Sequence, residues 1–192
     1  MAKKESTFIN MLVTLVAVTL VASTALGFVY ELTKEPIAAA RLARKLEAID
    51  AVVDAYDNNP VDDMYKIPTV DGTDSLECYP AWKDGTLVGT AVRSYSKKGY
   101  GGLIWVMIGI TPEAKISETA VVEHKETPGL GTKMSDPKFK DQFKGIDPAQ
   151  FNMKVVKDGG GIDAITAATI SSRAFCEAAQ LAFDSYEKGG QK

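Results

Sequence analysis

The sequence is poor in the residues from which hydrolytic and metal sites are usually built. It contains one histidine, His124, and two cysteines, Cys78 and Cys176, with no CxxC or zinc-ligand spacing. A single histidine supplies neither a nucleophile–base pair nor a His-based metal site, so we predict no catalytic residue and no metal ligand. Cys176 lies in a predicted amphipathic helix, which favours a buried free thiol; a disulfide with Cys78 is the alternative.

Basic surface and a dinucleotide-binding fingerprint are also missing. Residues 31–192 carry 20 of the chain's 22 basic residues and 24 of its 25 acidic ones, because only Lys3, Lys4 and Glu5 are charged before that point. An acidic balance of this kind offers no field for nucleic acid, so we predict no nucleic-acid partner. Neither a GxGxxG pattern nor an alternation of strands and helices is present, which disfavours a Rossmann fold.

Residues 8–30 form a long apolar stretch without a charged residue. At about 1.5 Å per residue, a helix of this length crosses a hydrocarbon core of roughly 30 Å. A signal peptide is the alternative, but its apolar region is usually about 7–15 residues long, and no clean cleavage site precedes Glu31. We therefore predict a single-pass transmembrane helix at residues 8–30, preceded by a cytoplasmic tail at residues 1–7.

Charge flanking this stretch predicts the orientation. Lys3 and Lys4 precede the apolar segment, and the positive-inside rule assigns that end to the cytoplasm. Residues 31–192 are then expected on the outer side of the plasma membrane, which is the inner membrane of a cell that has two.

Residues 31–57 are predicted to form an amphipathic linker helix. Apolar side chains recur at helical spacing from Pro36, which suits a first turn, to Asp57. They are Leu42, Leu46, Ile49, Val53 and Tyr56. We expect this stripe to pack against the chain's own globular domain, with contact to a neighbouring membrane subunit as the alternative.

Residues 58–192 are predicted to form an α+β domain with a largely antiparallel sheet and flanking helices, tethered by the one N-terminal transmembrane helix. Lys83-Asp84-Gly85 is a tight hairpin signal, which favours antiparallel pairing. The predicted strands are 65–70, 77–82, 86–96, 103–110, 115–122 and 151–156. The predicted helices are 136–144 and 169–188, the second with Phe175, Ala179, Ala182 and Tyr186 on one face.

Residues 159–172 concentrate the chemistry of the chain. Three glycines, Gly159 to Gly161, permit a sharp turn, and the following run predicts a helix start near Thr166, whose hydroxyl can cap it. A helix start binds anions because its first N–H groups lack intrahelical partners. Thr169, Ser171 and Ser172 add hydroxyls there. A plain helix entrance with hydroxyl caps is the alternative interpretation.

The segment Asp163-x-x-Thr166-Ala167-Ala168-Thr169 resembles the site at which flavin mononucleotide (FMN) is attached to protein through a phosphoester with a threonine. Two further segments, 99–102 and 124–131, match the FMN-binding domain found in the G-type subunit of the Rnf complex and in the C-type subunit of the sodium-translocating NADH:quinone reductase. The chain length is closer to that of the Rnf subunit. Ala167 departs from the pattern, because many relatives have glycine there.

The resemblance implies covalent FMN on Thr169, with Asp163 recognised by the flavin transferase that uses FAD as donor. Residues implied to surround the flavin are Thr166, Ala167, Ala168, Ser171, Ser172, Glu126, Thr127, Pro128, Gly129, Leu130 and Gly131. Leu130 is expected to cover one ring face, and Thr127 to donate a hydrogen bond to the ring. For Pro128-Gly129 the alternative is a type II turn that serves chain direction alone.

At the level of function, the resemblance implies an electron-transfer subunit of a membrane-bound, Rnf-type ion-translocating ferredoxin:NAD oxidoreductase. Such a subunit relays electrons through its FMN between neighbouring membrane, iron–sulfur and flavin subunits, with no active site of its own. The alternative function is a membrane-anchored sensory or regulatory domain that binds flavin.

Overall fold

A computed structural model describes residues 7–189, which form two compact units that divide after Ala43. The first helix, α1 (Phe8–Asp50), is long and apolar enough to cross a membrane, by length and composition. No part of its most apolar stretch is buried by the described residues, so it is not the core helix of this chain. Lys3 and Lys4, on which the predicted orientation depends, lie outside the described residues.

The predicted linker helix has different limits in the structure. Helix α1 continues through Pro36, which lies inside it and not in a first turn, and ends at Asp50. The predicted end at Asp57 was wrong. The apolar pattern continues beyond Asp50 because Val52, which lies in a turn, is also buried and only 1% exposed. The chain then reaches the edge of the sheet, where the Asp57 N–H donates a hydrogen bond to the Trp82 carbonyl at 2.8 Å.

Within residues 7–189, five strands form one antiparallel sheet, as predicted, and their order in the sheet is β1-β2-β3-β4-β5. At the β2–β3 hairpin, Asp84 and Gly85 both have positive φ, 51° and 75°, as a type I′ turn requires. The strands are β1 (Tyr65–Pro68), β2 (Ser75–Lys83), β3 (Thr86–Gly99), β4 (Gly102–Ile110) and β5 (Ile116–Glu123).

Each face of the sheet carries its own apolar cluster. The last helix, α3 (Thr169–Gly189), covers one face, and its predicted apolar stripe is buried there together with Val92 and Val106. On the other face, Ile49 at the end of α1 is fully buried with Ala91 and Met107. These two residues are next to Val92 and Val106 in sequence, so their side chains point to the opposite side of the sheet. The predicted packing of the stripe on its own domain is confirmed for Ile49, Val53 and Tyr56, whereas Leu42 is 47% exposed.

Between β5 and α3 the chain is mostly irregular. The predicted helix at 136–144 is present as α2 (Pro137–Lys140) followed by a 3-10 turn, Asp141–Phe143. The predicted strand at 151–156 was wrong. Met153 and Val155 are buried in alternation, as in a strand, but no strand within residues 7–189 pairs with them. Val155 makes an isolated bridge with Ile162, and a 3-10 turn, Val156–Asp158, follows.

The two cysteines are buried free thiols, Cys78 in β2 and Cys176 in α3, which confirms the interpretation preferred from the sequence.

Candidate functional site

Three segments that are distant in sequence enclose one cleft. The β3–β4 hairpin turns at Tyr100 and Gly101, the loop after β5 contributes residues 126–131, and the third segment is the start of α3. The cleft encloses about 490 Å³, within the roughly 300–1,000 Å³ typical of cofactor sites. Its lining residues are Tyr100, Glu126, Thr127, Leu130, Gly131, Ala167, Ala168, Thr169, Ile170 and Ser171.

Glu126 joins all three segments. Its side chain is 5% exposed, and its Oε1 accepts the Gly101 N–H at 3.0 Å while its Oε2 accepts the Ser171 hydroxyl at 2.5 Å. Its own backbone N–H donates to Nδ1 of His124 at 3.1 Å. The single histidine therefore acts as a hydrogen-bond acceptor that shapes the loop carrying Glu126.

The loop around Pro128 and Gly129 is a β-turn. The Leu130 N–H donates to the Thr127 carbonyl at 3.2 Å, and Gly129 has φ +76°, the value that a type II turn demands at its third position. The Gly129 N–H donates to the hydroxyl of Thr132 at 3.0 Å. Pro128 and Gly129 thus determine chain direction, and it is Thr127, Leu130 and Gly131 on either side that line the cleft.

The segment that precedes α3, residues 165–168, forms a second turn, which changes the expected role of Thr166. The Ala168 N–H donates to the Ile165 carbonyl at 3.0 Å, and Ala167 between them has φ +62°. This turn separates Thr166 from the helix start, so its hydroxyl does not cap the helix as predicted. The positive φ also explains why glycine suits position 167, since a Cβ disfavours this conformation.

The hydroxyls of this segment differ in availability. Both serines are buried and hydrogen-bonded. The Ser171 hydroxyl donates to Glu126, and the Ser172 hydroxyl accepts the Ile165 N–H at 2.9 Å and donates to the Ala168 carbonyl at 3.0 Å. Thr166 is exposed but does not line the cleft. Thr169 lines the cleft, is half-buried, and makes no side-chain hydrogen bond to any residue between 7 and 189.

Asp163 lies apart from the lining of the cleft. Its backbone is held from both sides by Gln142, whose Oε1 accepts the Asp163 N–H at 2.8 Å and whose Nε2 donates to the Asp163 carbonyl at 3.2 Å. The carboxylate is exposed and has no hydrogen-bond partner in the described part of the chain. Gln142 was not among the predicted site residues, because its contact crosses 21 positions that carry no shared pattern.

Two cleft residues were missed from the sequence. Tyr100 is 71% exposed at the tip of the glycine-rich hairpin, and Ile170 is 48% exposed in the first turn of α3. With Leu130, 39% exposed, they give the cleft an apolar rim. A large aromatic residue between glycines was a usable signal for Tyr100, whereas Ile170 looks like any apolar helix residue.

The residues of the cleft fit FMN. The first turn of α3 offers backbone N–H groups and the positive end of the helix dipole to a phosphate group. The apolar rim suits a planar aromatic ring system, which gains by leaving water.

Comparison with known proteins supports the same assignment. Residues 99–184 match the FMN-binding domain family, a range that includes all three cleft segments. The G-type subunit of the ion-translocating oxidoreductase complex of Aliivibrio fischeri is 31% identical over 189 residues, covering 93% of this chain and 88% of that protein. The chain belongs to the family of G-type subunits of ion-translocating oxidoreductase complexes.

Other members of this family agree. The corresponding subunit from Methanosarcina acetivorans is 30% identical over 91% of this chain and 92% of its own length. The G-type subunit of the proton-translocating ferredoxin:NAD(+) oxidoreductase complex of Clostridium ljungdahlii is 38% identical over 59% of this chain, a match that spans 60% of that relative.

Among solved structures, NqrC of Shewanella oneidensis is 28% identical, covers 59% of this chain and 58% of its own, and aligns with a TM-score of 0.49.

Proposed function

We propose that this chain is the electron-transfer subunit of a membrane-bound, Rnf-type ion-translocating ferredoxin:NAD oxidoreductase, with FMN attached by a phosphoester to Thr169. Membership of the G-type subunit family and the match to the FMN-binding domain support FMN binding and an electron-transfer role. The covalent link rests on one observation above all. Of the four hydroxyls between residues 166 and 172, Thr169 alone both lines the cleft and is free of hydrogen bonds to the described residues.

The residues of the cleft have separate tasks in this proposal. The N–H groups of the first turn of α3 hold the phosphate beside Thr169. Leu130 and Ile170 exclude water from the ring, and Thr127 contributes a hydroxyl at the cleft wall. FMN, when bound, supplies the redox chemistry, while the protein supplies position and electrostatics.

The mass of the intact protein tests the covalent link. Protein from a host that has the flavin transferase should be heavier by one FMN minus water, and Thr169→Val should lose the increment because it has no acceptor hydroxyl. Thr169→Ser is the matched control, since it keeps a hydroxyl at the same position and should keep the increment. An unmodified wild-type mass in the presence of active transferase would refute the covalent link.

Asp163 is proposed as a recognition residue of the transferase. Its exposed carboxylate and its backbone, held by Gln142, support a role outside the cleft. Asp163→Asn should lower the flavinylated fraction, while the molecules that carry FMN keep the wild-type flavin spectrum and potential. Full modification with a shifted potential would place Asp163 beside the ring instead.

The arrangement across the membrane is also a proposal: a cytoplasmic tail at residues 1–7, a transmembrane helix at 8–30, a linker at 31–57 and the FMN domain at 58–192 on the outer side. The long apolar helix Phe8–Asp50 supports the span. Protease added to intact, wall-stripped cells should cut the FMN domain and leave the tail intact. Protection of the whole chain would reverse the orientation.

Association with other subunits distinguishes the electron-transfer role from the sensory or regulatory alternative. Purification in mild detergent should recover the chain with the membrane, iron–sulfur and flavin subunits of one complex. Recovery of the chain alone, with FMN attached, would favour the alternative.

A further inference from the structure

Glu126 is a buried acid without a counter-ion. It is 5% exposed, and no Lys, Arg or His between residues 7 and 189 forms an ion pair with it. Both of its carboxylate oxygens accept hydrogen bonds, one from the Gly101 N–H and one from the Ser171 hydroxyl. An ionised carboxylate accepts at both oxygens, and the Gly101 N–H and the Ser171 hydroxyl are placed to supply one donor to each.

Two glycines restrict the position of this carboxylate. A Cβ on Gly131 would lie 2.5 Å from Oε2 of Glu126 and 2.6 Å from the Ser171 hydroxyl, and a Cβ on Gly99 would lie 2.6 Å from Oε1. At both glycines the backbone therefore approaches the carboxylate more closely than a residue with a Cβ atom would allow. The Glu126 carboxylate therefore lies against backbone at the wall of the cleft that contains Thr169.

The charge is unfavourable in this position. Burial of an ion without a partner of opposite charge carries a large desolvation penalty, and two hydrogen bonds recover only part of it. An isosteric neutral side chain would avoid the penalty. Buried charges of this kind are concentrated at functional sites, where they act on a reacting group.

We infer that Glu126 sets the electrostatic potential of the FMN cleft and lowers the reduction potential of the flavin held there. The inference rests on the function proposed above. Adding an electron to a flavin increases the negative charge in the cleft, and a fixed carboxylate in a poorly solvated wall opposes that increase. Glu126 thus favours a cofactor that donates electrons readily.

Glu126→Gln separates the charge from the hydrogen bonds. The amide oxygen of glutamine can accept the Gly101 N–H, and its NH₂ can donate to Ser171, whose hydroxyl rotates to become an acceptor. Shape and both contacts are retained, and the charge is lost. Glu126→Asp keeps the charge on a shorter side chain, and so tests geometry alone.

Glu118→Gln is the matched control for the loss of one negative charge. Glu118 lies in β5, ion-pairs with Lys140 and Lys144, and is not part of the cleft wall. The potential of the flavin should therefore be the same in Glu118→Gln as in the wild-type protein.

The experiment is a redox titration, followed by flavin absorbance, of the full-length protein purified in detergent from a host with the transferase. The intact mass is measured first. In Glu126→Gln the ratio of reduced to oxidised flavin at a fixed potential should rise at least tenfold, which is about 59 mV for a one-electron step. Glu126→Asp should stay near the wild-type value.

Three results would overturn the inference: an unchanged flavin potential in Glu126→Gln, an equal rise in Glu126→Asp, or a Glu126→Gln protein that does not fold, which would make the role structural. A wild-type protein without the FMN mass increment would instead count against the proposed function, so the two failures are distinguishable.

Discussion

The Ser171 hydroxyl donates a 2.5 Å hydrogen bond to Oε2 of Glu126, a residue 45 positions earlier in the chain. This bond connects the start of α3 to the loop after β5. Through Gly101, Glu126 extends the connection to the β3–β4 hairpin. The cleft is therefore assembled by one buried side chain, and the stability of its walls depends on the partners of that side chain.

Removal of the Ser171 hydroxyl should destabilise the domain. In Ser171→Ala a buried charged acceptor loses a donor, which should lower the free energy of unfolding by about 1–3 kcal/mol. Ser185→Ala is the matched control in the same helix, because the buried Ser185 hydroxyl has no hydrogen-bond partner within residues 7–189. That variant should be neutral or slightly stabilising. Urea unfolding followed by the fluorescence of Trp82 and Trp105, both in the sheet, measures the difference. Equal losses in the two variants would contradict it.

Glycine at position 167 should stabilise the protein. Ala167 has φ +62°, a conformation that costs a non-glycine residue about 1–2 kcal/mol, while glycine loses roughly 0.5–1 kcal/mol through backbone entropy. Ala167→Gly should therefore raise the free energy of unfolding by up to about 1.5 kcal/mol. Ala168→Gly, at negative φ and 7% exposed, gains no such relief and should be destabilising. The apoprotein is the sample for both urea titrations. A loss of stability in Ala167→Gly would show that the turn is not strained.

Acid should weaken the contact between the end of α1 and the sheet. Burial opposes ionisation of Glu77, but the hydrogen bond from Tyr79 and the charges of Lys45 and Arg93 outweigh it, so the pKa of Glu77 is below its usual range. Its contribution to stability is complete above the unfolded-state pKa, about 4.3, and is lost as pH falls through the folded-state pKa.

Unfolding measured in urea at a series of pH values tests this. Wild-type stability should fall as pH decreases below about 4.3, and Glu77→Gln should fall less steeply over the same window because its side chain does not titrate. Identical slopes in the two proteins would show that Glu77 is not responsible.

The two thiols should be unreactive in the native protein. Burial raises the pKa of Cys78 and of Cys176 to about 12 in each case, so little thiolate exists at pH 8, and both side chains are inaccessible. A maleimide should label neither cysteine until urea is added, and then both. Labelling of one cysteine in the native protein would show local opening of β2 or α3, and failure to label both after unfolding would indicate a disulfide.

Much of the fold followed from local pattern. Strands β2 to β4 were predictable because their apolar runs are bounded by turn residues, and Asp84-Gly85 has the positive φ values of a type I′ hairpin. Helix α3 was predictable because one apolar face recurs at helical spacing. The prediction failed at residues 151–156 and at 51–57, where buried apolar side chains recur at the spacing of a strand and of a helix respectively. Such a segment forms the element only if a neighbouring strand pairs with it or if the helical hydrogen bonds continue through it.

The candidate site divides in the same way. The sequence by itself determined the apolar helix, the antiparallel sheet, and the hydroxyl- and glycine-rich segments that suggest a cofactor, because those properties reside in residue type and short-range order. Only the tertiary structure decided that Ser171 and Ser172 are engaged while Thr169 is not, that Ala167 takes a left-handed turn, and that Glu126 is buried between Gly101 and Ser171. These outcomes depend on hydrogen bonds and close backbone approaches between segments tens of residues apart, and no local sequence pattern encodes which donor will meet which acceptor.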